Sequence, residues 1–385
     1  IYMKLKNLFI LLWLFFSFSG WANDITISNV QINEKSTANQ WVSVSFDLSI
    51  ENSWRINTGA ANWNAAWVFI KFKIGTTGEW HHATLSSSGS EHFAPSNTTI
   101  DATADGKGAF IFDSRPNAGS DFTFTRTGIK LRWYYGLDGI PDNTTDLYFN
   151  IFGIEMVFIP AGSFYLGSGG GEEYSFYEGG NSPNPFLISN NAEIQVRNNL
   201  SSLYYNNFVD IDGITWGGDK AGPIPLGFPK GYNAYYLMRY EISQEQYKDF
   251  LNCLNRTQQN YRTGTNISFG GFSNHYVMSN NATVSIRNGI TCLGTGHGTV
   301  DPITFYCDYN GNRVFDEPSD GQNIACNFLN WEDGLAYLDW AGLRPMTEFE
   351  YEKACRGPNN PDANDFPWGT ALPTETSLVI LMTGK

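Results

Sequence analysis

A segment near the carboxyl-terminal end of the chain, GLRPMTEFEYEKACRG at residues 342–357, carries the clearest structural signals in the sequence. Thr347 and Glu350 form a Thr-x-x-Glu pair, in which each side chain can accept a hydrogen bond from the other residue's backbone N–H and so start a helix. Pro345 comes just before that pair, and Gly357 stands where a left-handed residue commonly ends a helix. The segment therefore predicts a short helix that begins at Thr347 and ends at Gly357.

Two other segments carry the same kind of helix start. Ser243 and Gln246 form a Ser-x-x-Gln pair, and Asn330 with Asp333 forms a related one. After Ser243, apolar residues recur at the spacing of one helix face, namely Tyr247, Phe250, Leu251 and Leu254. The helix after Asn330 is expected to have its apolar side at Leu335, Leu338 and Trp340, and Gly342 is expected to cap it. Two more short amphipathic helices are therefore predicted.

These segments, together with two others, resemble the formylglycine-generating enzyme (sulfatase-modifying factor) family. Four pieces occur in the family's order: EMVFIPAGSFYLG at 155–167, YEISQEQYKDFL at 240–251, NWEDGLAY at 330–337 followed by the segment at 342–357, and FPWG at 366–369. The resemblance implies an irregular mixed α/β domain of the C-type-lectin kind over residues 151–385. With a β-rich region before it, the fold class is expected to be α+β.

The resemblance also implies an activity, the oxygen-dependent conversion of a sulfatase cysteine to formylglycine, with a sulfatase protein or peptide as the partner. In the family's enzymes a pair of cysteines that binds copper lies beyond the Pro-Trp-Gly segment. This sequence has no cysteine after Cys355. We therefore expect an incomplete, C-terminally truncated member in which no catalytic or cofactor-binding residue can be assigned, with copper bound only if the downstream pair exists.

The alternative hypothesis is a non-catalytic extracellular module that uses the same fold to bind a partner protein or a surface polysaccharide, or to build a structure. Two stretches without periodicity, about 178–232 and about 255–325, are rich in Asn, Gly, Ser and Tyr and are interpreted as insertions in the domain. Aromatic side chains in the first of these (Tyr204, Tyr205, Trp216 and Tyr232) could stack on sugars, although packing in the core is favoured for the aromatic residues in general.

Residues 23–150 predict a separate all-β sandwich module. Apolar residues alternate with polar ones at Val42, Val44, Phe46, Leu48 and Ile50, which is the period of a half-buried strand. A second alternation, at Val68, Ile70, Phe72 and Ile74, leaves Lys71 and Lys73 facing the solvent. Several such short strands separated by turn signals favour two packed sheets.

The first residues predict export. Lys4 and Lys6 precede an apolar run from Leu8 to Phe18, and small residues precede a cut after Ala22. This is the pattern of a signal peptide at residues 1–22, and the run is shorter than the roughly 20 residues that a membrane span needs. We therefore expect a secreted, periplasmic or extracellular protein of bacterial type, with no membrane span in the mature chain.

The composition excludes some classes of partner. The chain has 385 residues and a formal net charge of −14, with no cluster of Lys and Arg. No surface is therefore available to neutralise phosphates, and nucleic acid is not expected as a partner.

Five cysteines remain to be explained, Cys253, Cys292, Cys307, Cys326 and Cys355. In an exported protein most cysteines pair, and Cys307 with Cys326 is one candidate disulfide, although the sequence does not fix the connectivity. A catalytic role needs a thiol of lowered pKa, which no neighbouring residue in the sequence indicates.

The segment DYNGNRVFDE at 308–317 is a candidate calcium loop. Oxygen-bearing side chains recur at alternate positions, and the predicted metal ligands are Asp308, Asn310, Asn312, Asp316 and Glu317. The glycine and the final glutamate of a standard loop are replaced by Arg313 and Ser319, so Asp316, Glu317 or Asp320 would have to complete the site. The alternative, an acidic turn exposed to solvent, stays open.

Overall fold

The computed structural model describes residues 25–116, 119–169, 175–180, 184–205, 222–269, 275–292 and 298–363. The expected signal peptide at 1–22 and the segment at 366–369 lie outside the described residues. The strands are β1 (Ile25–Ser36), β2 (Trp41–Arg55), β3 (Trp63–Ile74), β4 (His81–His82), β5 (Thr98–Ala102), β6 (Ala109–Asp113), β7 (Gly119–Trp133), β8 (Leu147–Ile159), β9 (Phe164–Leu166), β10 (Phe176–Glu178), β11 (Phe186–Ile188), β12 (Leu203–Tyr205), β13 (Tyr235–Met238), β14 (Ile290–Cys292) and β15 (Phe305–Cys307). The helices are α1 (Gln244–Asn252), α2 (Arg256–Tyr261), α3 (Trp331–Trp340) and α4 (Glu348–Arg356), with a 3-10 turn at Gly89–Glu91. The fold is mixed and strand-rich, in agreement with the α+β class.

Strand β3 is a central strand of the main β-sheet. It pairs antiparallel with β8 along its whole length, from Trp63 opposite Phe158 to Ile74 opposite Leu147. Its other edge pairs with β6 and β4, while β8 also pairs with β13. Together with β1, β2, β5 and β7 these strands form one nine-stranded sheet. The domain boundary predicted between residues 150 and 151 falls inside β8, so one strand serves both predicted regions.

The first hydrophobic core lies among β2, β3 and β7. It is built from alternating residues of these strands, including Val44, Phe46, Leu48, Val68, Ile70, Phe124, Leu131 and Trp133. The predicted strand at 42–50 is therefore confirmed. Ser43 and Ser45, which the alternation assigned to solvent, are nevertheless buried. Both faces of this part of β2 are covered.

The prediction that Lys71 faces the solvent is wrong. Lys71 is only 6% exposed, because the second face of β3 is covered by another hydrophobic core and not by water. The ammonium group lies 2.9 Å from His82 Nδ1 and 5.7 Å from the ring centroid of Trp340. Burial lowers the pKa of Lys71 to about 8 and that of His82 to about 4.

The second core joins this face of the sheet to α1 and α3. Its buried members include Trp67, Phe69, Ile154 and Met156 from the sheet, Tyr247, Phe250 and Leu251 from α1, and Tyr337 and Trp340 from α3. The indole N–H of Trp67 donates to the carbonyl of Ala341, at the end of α3, over 2.8 Å. The aperiodic stretch at about 255–325 also contributes buried residues, among them Ile267, Val277, Ile290, Ile303 and Phe305. That stretch therefore completes the core on this side.

A third, smaller core joins α4 to the short strands β9 and β11. Phe349 of α4 packs with Phe164 and Leu166 of β9 and Ile188 of β11. All three helix starts predicted from the sequence are confirmed, since Ser243, Asn330 and Thr347 each cap the backbone N–H of the residue three positions on. Gly342 and Gly357 have the expected positive φ angles of 70° and 68° after α3 and α4.

None of the helices in the described ranges is both long enough and apolar enough to cross a bilayer.

Candidate functional site

The segment at 342–357 is hydrogen-bonded to the turn that follows β8. Lys353 of α4 donates from Nζ to the carbonyls of Pro160 and Gly231, both over 2.6 Å. Burial lowers the pKa of Lys353 to about 8, although the Glu350 carboxylate opposes this effect. Glu352 accepts the backbone N–H of Gly167 over 2.7 Å. Side chains of α4 thus hold the middle of the 155–167 segment, at Pro160, and its end, at Gly167.

A forked ion pair fixes the start of the same helix. Arg344 donates to both carboxylate oxygens of Glu350, over 2.8 and 2.5 Å, and the Glu350 side chain is only 3% exposed. Glu350 is also the residue that closes the capping box with Thr347. The two side chains therefore connect the chain before α4 to its first turn, and bidentate pairs of this kind are among the stronger ion pairs. The sequence reasoning recognised the cap but missed Arg344 and Lys353 as anchors, because charged residues on a helix normally face solvent.

A cleft of about 820 Å³ opens beside β9 and β11. Its wall combines apolar groups with polar ones, including Tyr165, Leu187, Glu193, Gln195 and Asn360. Leu187 is 45% exposed on this wall. A cleft of this size with mixed walls can take an extended peptide or a sugar chain.

The predicted calcium loop is a compact turn held by its own amide side chains. The side-chain oxygen of Asn310 accepts the N–H of Asn312 over 2.9 Å, and that of Asn312 accepts the N–H of Val314 over 2.7 Å. The amide nitrogen of Asn312 donates to Glu317 over 2.6 Å. Gly311 adopts a φ of 73°, which a glycine allows without strain. The side chains of Asn310, Asn312 and Glu317 therefore lie close together in this turn.

Two fully buried carboxylates lie at the base of this loop. Asp308 and Asp320 are both 0% exposed, and the N–H of Tyr309 donates to the backbone carbonyl of Asp320 over 3.2 Å. Asp308 accepts the hydroxyl of Tyr276 over 3.2 Å and lies 3.5 Å from Arg313. Asp320 accepts the N–H of Glu317 with one oxygen, and its other oxygen, Oδ1, has no hydrogen-bond partner.

Asp316 has a different environment from the other predicted ligands. Its Oδ1 accepts the N–H of Cys307 over 2.9 Å and lies 3.5 Å from Lys248 Nζ. Within the described ranges, no three His, Cys, Asp or Glu side chains are grouped closely enough to hold a metal by themselves. Any cation at the loop would have to use amide or backbone oxygens as well as the two buried carboxylates.

All five cysteines fall within the described residues, and all five are free thiols. The candidate disulfide between Cys307 and Cys326 is therefore absent from this structure; Cys326 contacts Asn288 and the carbonyl of Asn327 instead. Burial raises the pKa of Cys253, Cys292 and Cys326 to about 12 and raises that of Cys307 and Cys355 as well. None of them is an activated thiolate.

The fold and these contacts define a class of protein, a strand-rich mixed domain whose short capped helices are packed on an antiparallel sheet. A sequence model described as "Sulfatase-modifying factor enzyme 1-like domain" matches residues 229–379. Over these residues the chain is similar to the formylglycine-generating enzyme (sulfatase-modifying factor) family.

Two proteins are similar to parts of the chain. The chain is 25% identical over 140 residues to a formylglycine-generating enzyme from Bos taurus, covering 36% of this chain and 34% of that protein. It is 39% identical over 62 residues to a formylglycine-generating enzyme from Thermomonospora curvata, covering 16% of this chain and 18% of the other. The chain thus spans about a third of the length of the mammalian relative it matches. No solved structure matches it significantly.

Proposed function

We propose that this chain is a sulfatase-modifying-factor-like protein that binds a cysteine-containing segment of a sulfatase, the partner on which the family acts. The observation that carries the proposal is that the four described family elements, β8 with its following turn, α1, α3 and α4, pack into one body. A domain assembled in this way can present a peptide-binding surface. The cleft beside β9 and β11 is the surface we assign to the peptide.

Conversion of the bound cysteine to formylglycine is the more specific part of the proposal. It requires thiolate ligands for copper, which the described residues do not supply. The resemblance implies copper held by two thiolates, and copper(I) prefers such soft ligands. The five thiols of this chain have raised pKa values, so they do not fit that role. We therefore expect peptide binding by this chain without turnover.

The second candidate function is a non-catalytic extracellular module. The observation that favours a non-catalytic role is that all five thiols have raised pKa values, so none of them is activated as a nucleophile or a copper ligand. The cleft would then bind a partner protein or a surface polysaccharide. Export through a signal peptide at 1–22, a C-type-lectin kind of fold and a β-sandwich in the first 150 residues are further parts of the proposal.

A peptide-binding and conversion assay tests the proposal. A fluorescent sulfatase peptide containing the target cysteine is titrated with the protein, and mass spectrometry follows the peptide in the presence of copper, oxygen and a reductant. We expect saturable binding and no formylglycine. Formation of formylglycine would contradict the conclusion that the five thiols do not act as copper ligands. Failure to bind the peptide would contradict the leading function and favour the non-catalytic module.

Two matched variants locate the binding surface. Leu187→Asp places a charge on the cleft wall, and Leu137→Asp makes the same change at a leucine that is 73% exposed in the loop after β7. We expect Leu187→Asp to weaken peptide binding at least about tenfold, because an apolar contact is replaced by a charge that would be desolvated. Leu137→Asp should bind as the unmodified protein does, and equal effects of the two changes would remove the peptide from this cleft.

A further inference from the structure

The loop at 308–320 contains a buried charge that the protein itself does not balance. Asp320 is completely buried and has no cationic partner within the described residues. One of its oxygens accepts the Glu317 N–H, and the other has no hydrogen-bond partner. A buried carboxylate oxygen left in this state is costly, and native structures normally satisfy such an atom with a donor, a proton or a cation.

The neighbourhood of that oxygen is negative. The Asp308, Asp316 and Glu317 carboxylates lie close enough to Asp320 to act on its charge. The two cations that pair with this loop contact other carboxylates, since Arg313 lies beside Asp308 and Lys248 lies beside Asp316. The buried Asp320 carboxylate therefore lies among other carboxylates, and a bound cation would balance this charge.

The other groups around the loop are oxygen donors that a hard cation accepts. The side-chain oxygens of Asn310 and Asn312 each accept one backbone N–H and retain a second lone pair. Asp308 contributes a second fully buried carboxylate. Neither His nor Cys forms a metal-binding cluster among the described residues, so a soft or borderline ion such as zinc is not favoured.

We propose that Asp308 and Asp320, with the side-chain oxygens of Asn310 and Asn312, form a calcium-binding site in the 308–320 loop. Calcium accepts six to eight oxygen ligands in a flexible arrangement, including neutral amide and backbone oxygens, whereas magnesium requires a stricter octahedron. Asp316 and Glu317, which the sequence also suggested, serve instead to pair with Lys248 and to hold the two asparagine amides. The site does not depend on the proposed sulfatase function.

The position of the loop gives the site a structural consequence. Directly after Asp320, the carbonyls of Gln322 and Ile324 accept the N–H groups of Glu245 and Gln244 in the first turn of α1. Lys248 of α1 also pairs with Asp316 of the loop. Calcium bound at Asp308 and Asp320 would therefore order the segment that fastens α1 to the rest of the domain.

Terbium luminescence and thermal unfolding test the site on the whole protein. Terbium substitutes for calcium, and Tyr276, whose hydroxyl lies 3.2 Å from Asp308, can sensitise its emission. We expect tyrosine-sensitised terbium emission that calcium displaces, and a melting temperature that is higher in calcium than in EDTA and rises with calcium concentration. Magnesium should give a smaller shift. No difference between calcium and EDTA would overturn the site, and an equal response to magnesium would overturn the choice of ion.

Two substitutions of the same kind separate the site from general effects on the loop. Asp320→Asn removes the unbalanced charge and should weaken calcium binding at least about tenfold, because the affinity of such loops depends on the number of charged ligands. Asp316→Asn, in the same loop but beside Lys248, should respond to calcium as the unmodified protein does. In EDTA, Asp320→Asn should melt no lower than the unmodified protein. Normal calcium binding by Asp320→Asn, or a lower melting temperature of this variant in EDTA, would contradict the proposal.

Discussion

At the scale of single residues, Lys71 and His82 show how burial changes the chemistry of ordinary side chains. Both lie between β3 and the end of α3, where Phe69 and Trp340 exclude water from one side. His82 also bonds the carbonyl of Lys107 through its second ring nitrogen. The pKa of His82 falls to about 4, chiefly because burial disfavours the charged ring and also because Lys71 is close.

This depressed pKa predicts a pH dependence of stability. Below the ordinary histidine pKa of about 6.5 the unfolded chain takes up a proton at His82, while the folded protein does not do so until about pH 4. The unfolded state binds more protons in this window, so the free energy of unfolding decreases as the pH falls from about 6.5 to 4. The contribution of His82 at the lower end is about 3 kcal/mol.

Urea unfolding of His82→Gln measured between pH 7 and 4 checks this expectation. The variant should lose less stability over the window than the unmodified protein. Asp249, whose pKa is raised to about 6 by burial, acts in the opposite direction but contributes equally to both proteins. His81→Gln, at the exposed neighbour, is the control and should keep the original slope. Parallel slopes for all three proteins would show that His82 is not buried in the neutral form.

The environments of single side chains were less predictable from the sequence than the secondary-structure elements. An alternating strand pattern assigns Lys71 to solvent, and only the tertiary packing of α3 against β3 shows that this face is covered. Asp320 was recognised only as one of three acids that could complete the loop, since the feature that distinguishes it, an oxygen without a partner, is not visible in spacing. The asparagines of the loop were predictable, because their contacts are local.

At the scale of elements, α1, α3 and α4 were the most predictable parts of the chain, whereas α2 was not predicted. The side-chain caps at Ser243, Asn330 and Thr347 are local interactions within four residues, so the sequence contains all the information that they need. Strand lengths were less predictable. Residues 119–133 form the single long strand β7, which contains a register irregularity near Gly128, where φ is 70°.

Thr347 provides a prediction at this scale. Its hydroxyl accepts the N–H of Glu350 over 3.2 Å and donates to the carbonyl of Pro229 over 2.9 Å. Thr347→Ala should lower the free energy of unfolding by about 1–2 kcal/mol, because it removes both the cap of α4 and a bond to a distant segment. Thr347→Ser keeps the hydroxyl and should cost less than half as much. Chemical denaturation of the two variants measures the difference, and equal losses would mean that the hydroxyl does not cap the helix.

At the scale of the whole molecule, the pairing of β3 with β8 unites the first 150 residues with the family segments. β8 contributes to both the first and the second cores, and the Trp67 indole on β3 reaches across to the carbonyl of Ala341. The sequence predicted two modules because its periodicity changes near residue 154, and periodicity reports local structure only. Which strands pair over a long distance depends on packing that no local pattern contains.

Native-state hydrogen exchange, followed by mass spectrometry at increasing urea concentrations, tests this union most directly. If the sheet and the capped helices form one cooperative body, the amides of β3 and β8 and those of α1, α3 and α4 should become exchangeable through the same opening, with the same free energy and the same dependence on urea. Loss of protection in the three helices at a urea concentration that leaves β2, β3 and β7 protected would contradict the account, since the helices would then belong to a separate unit.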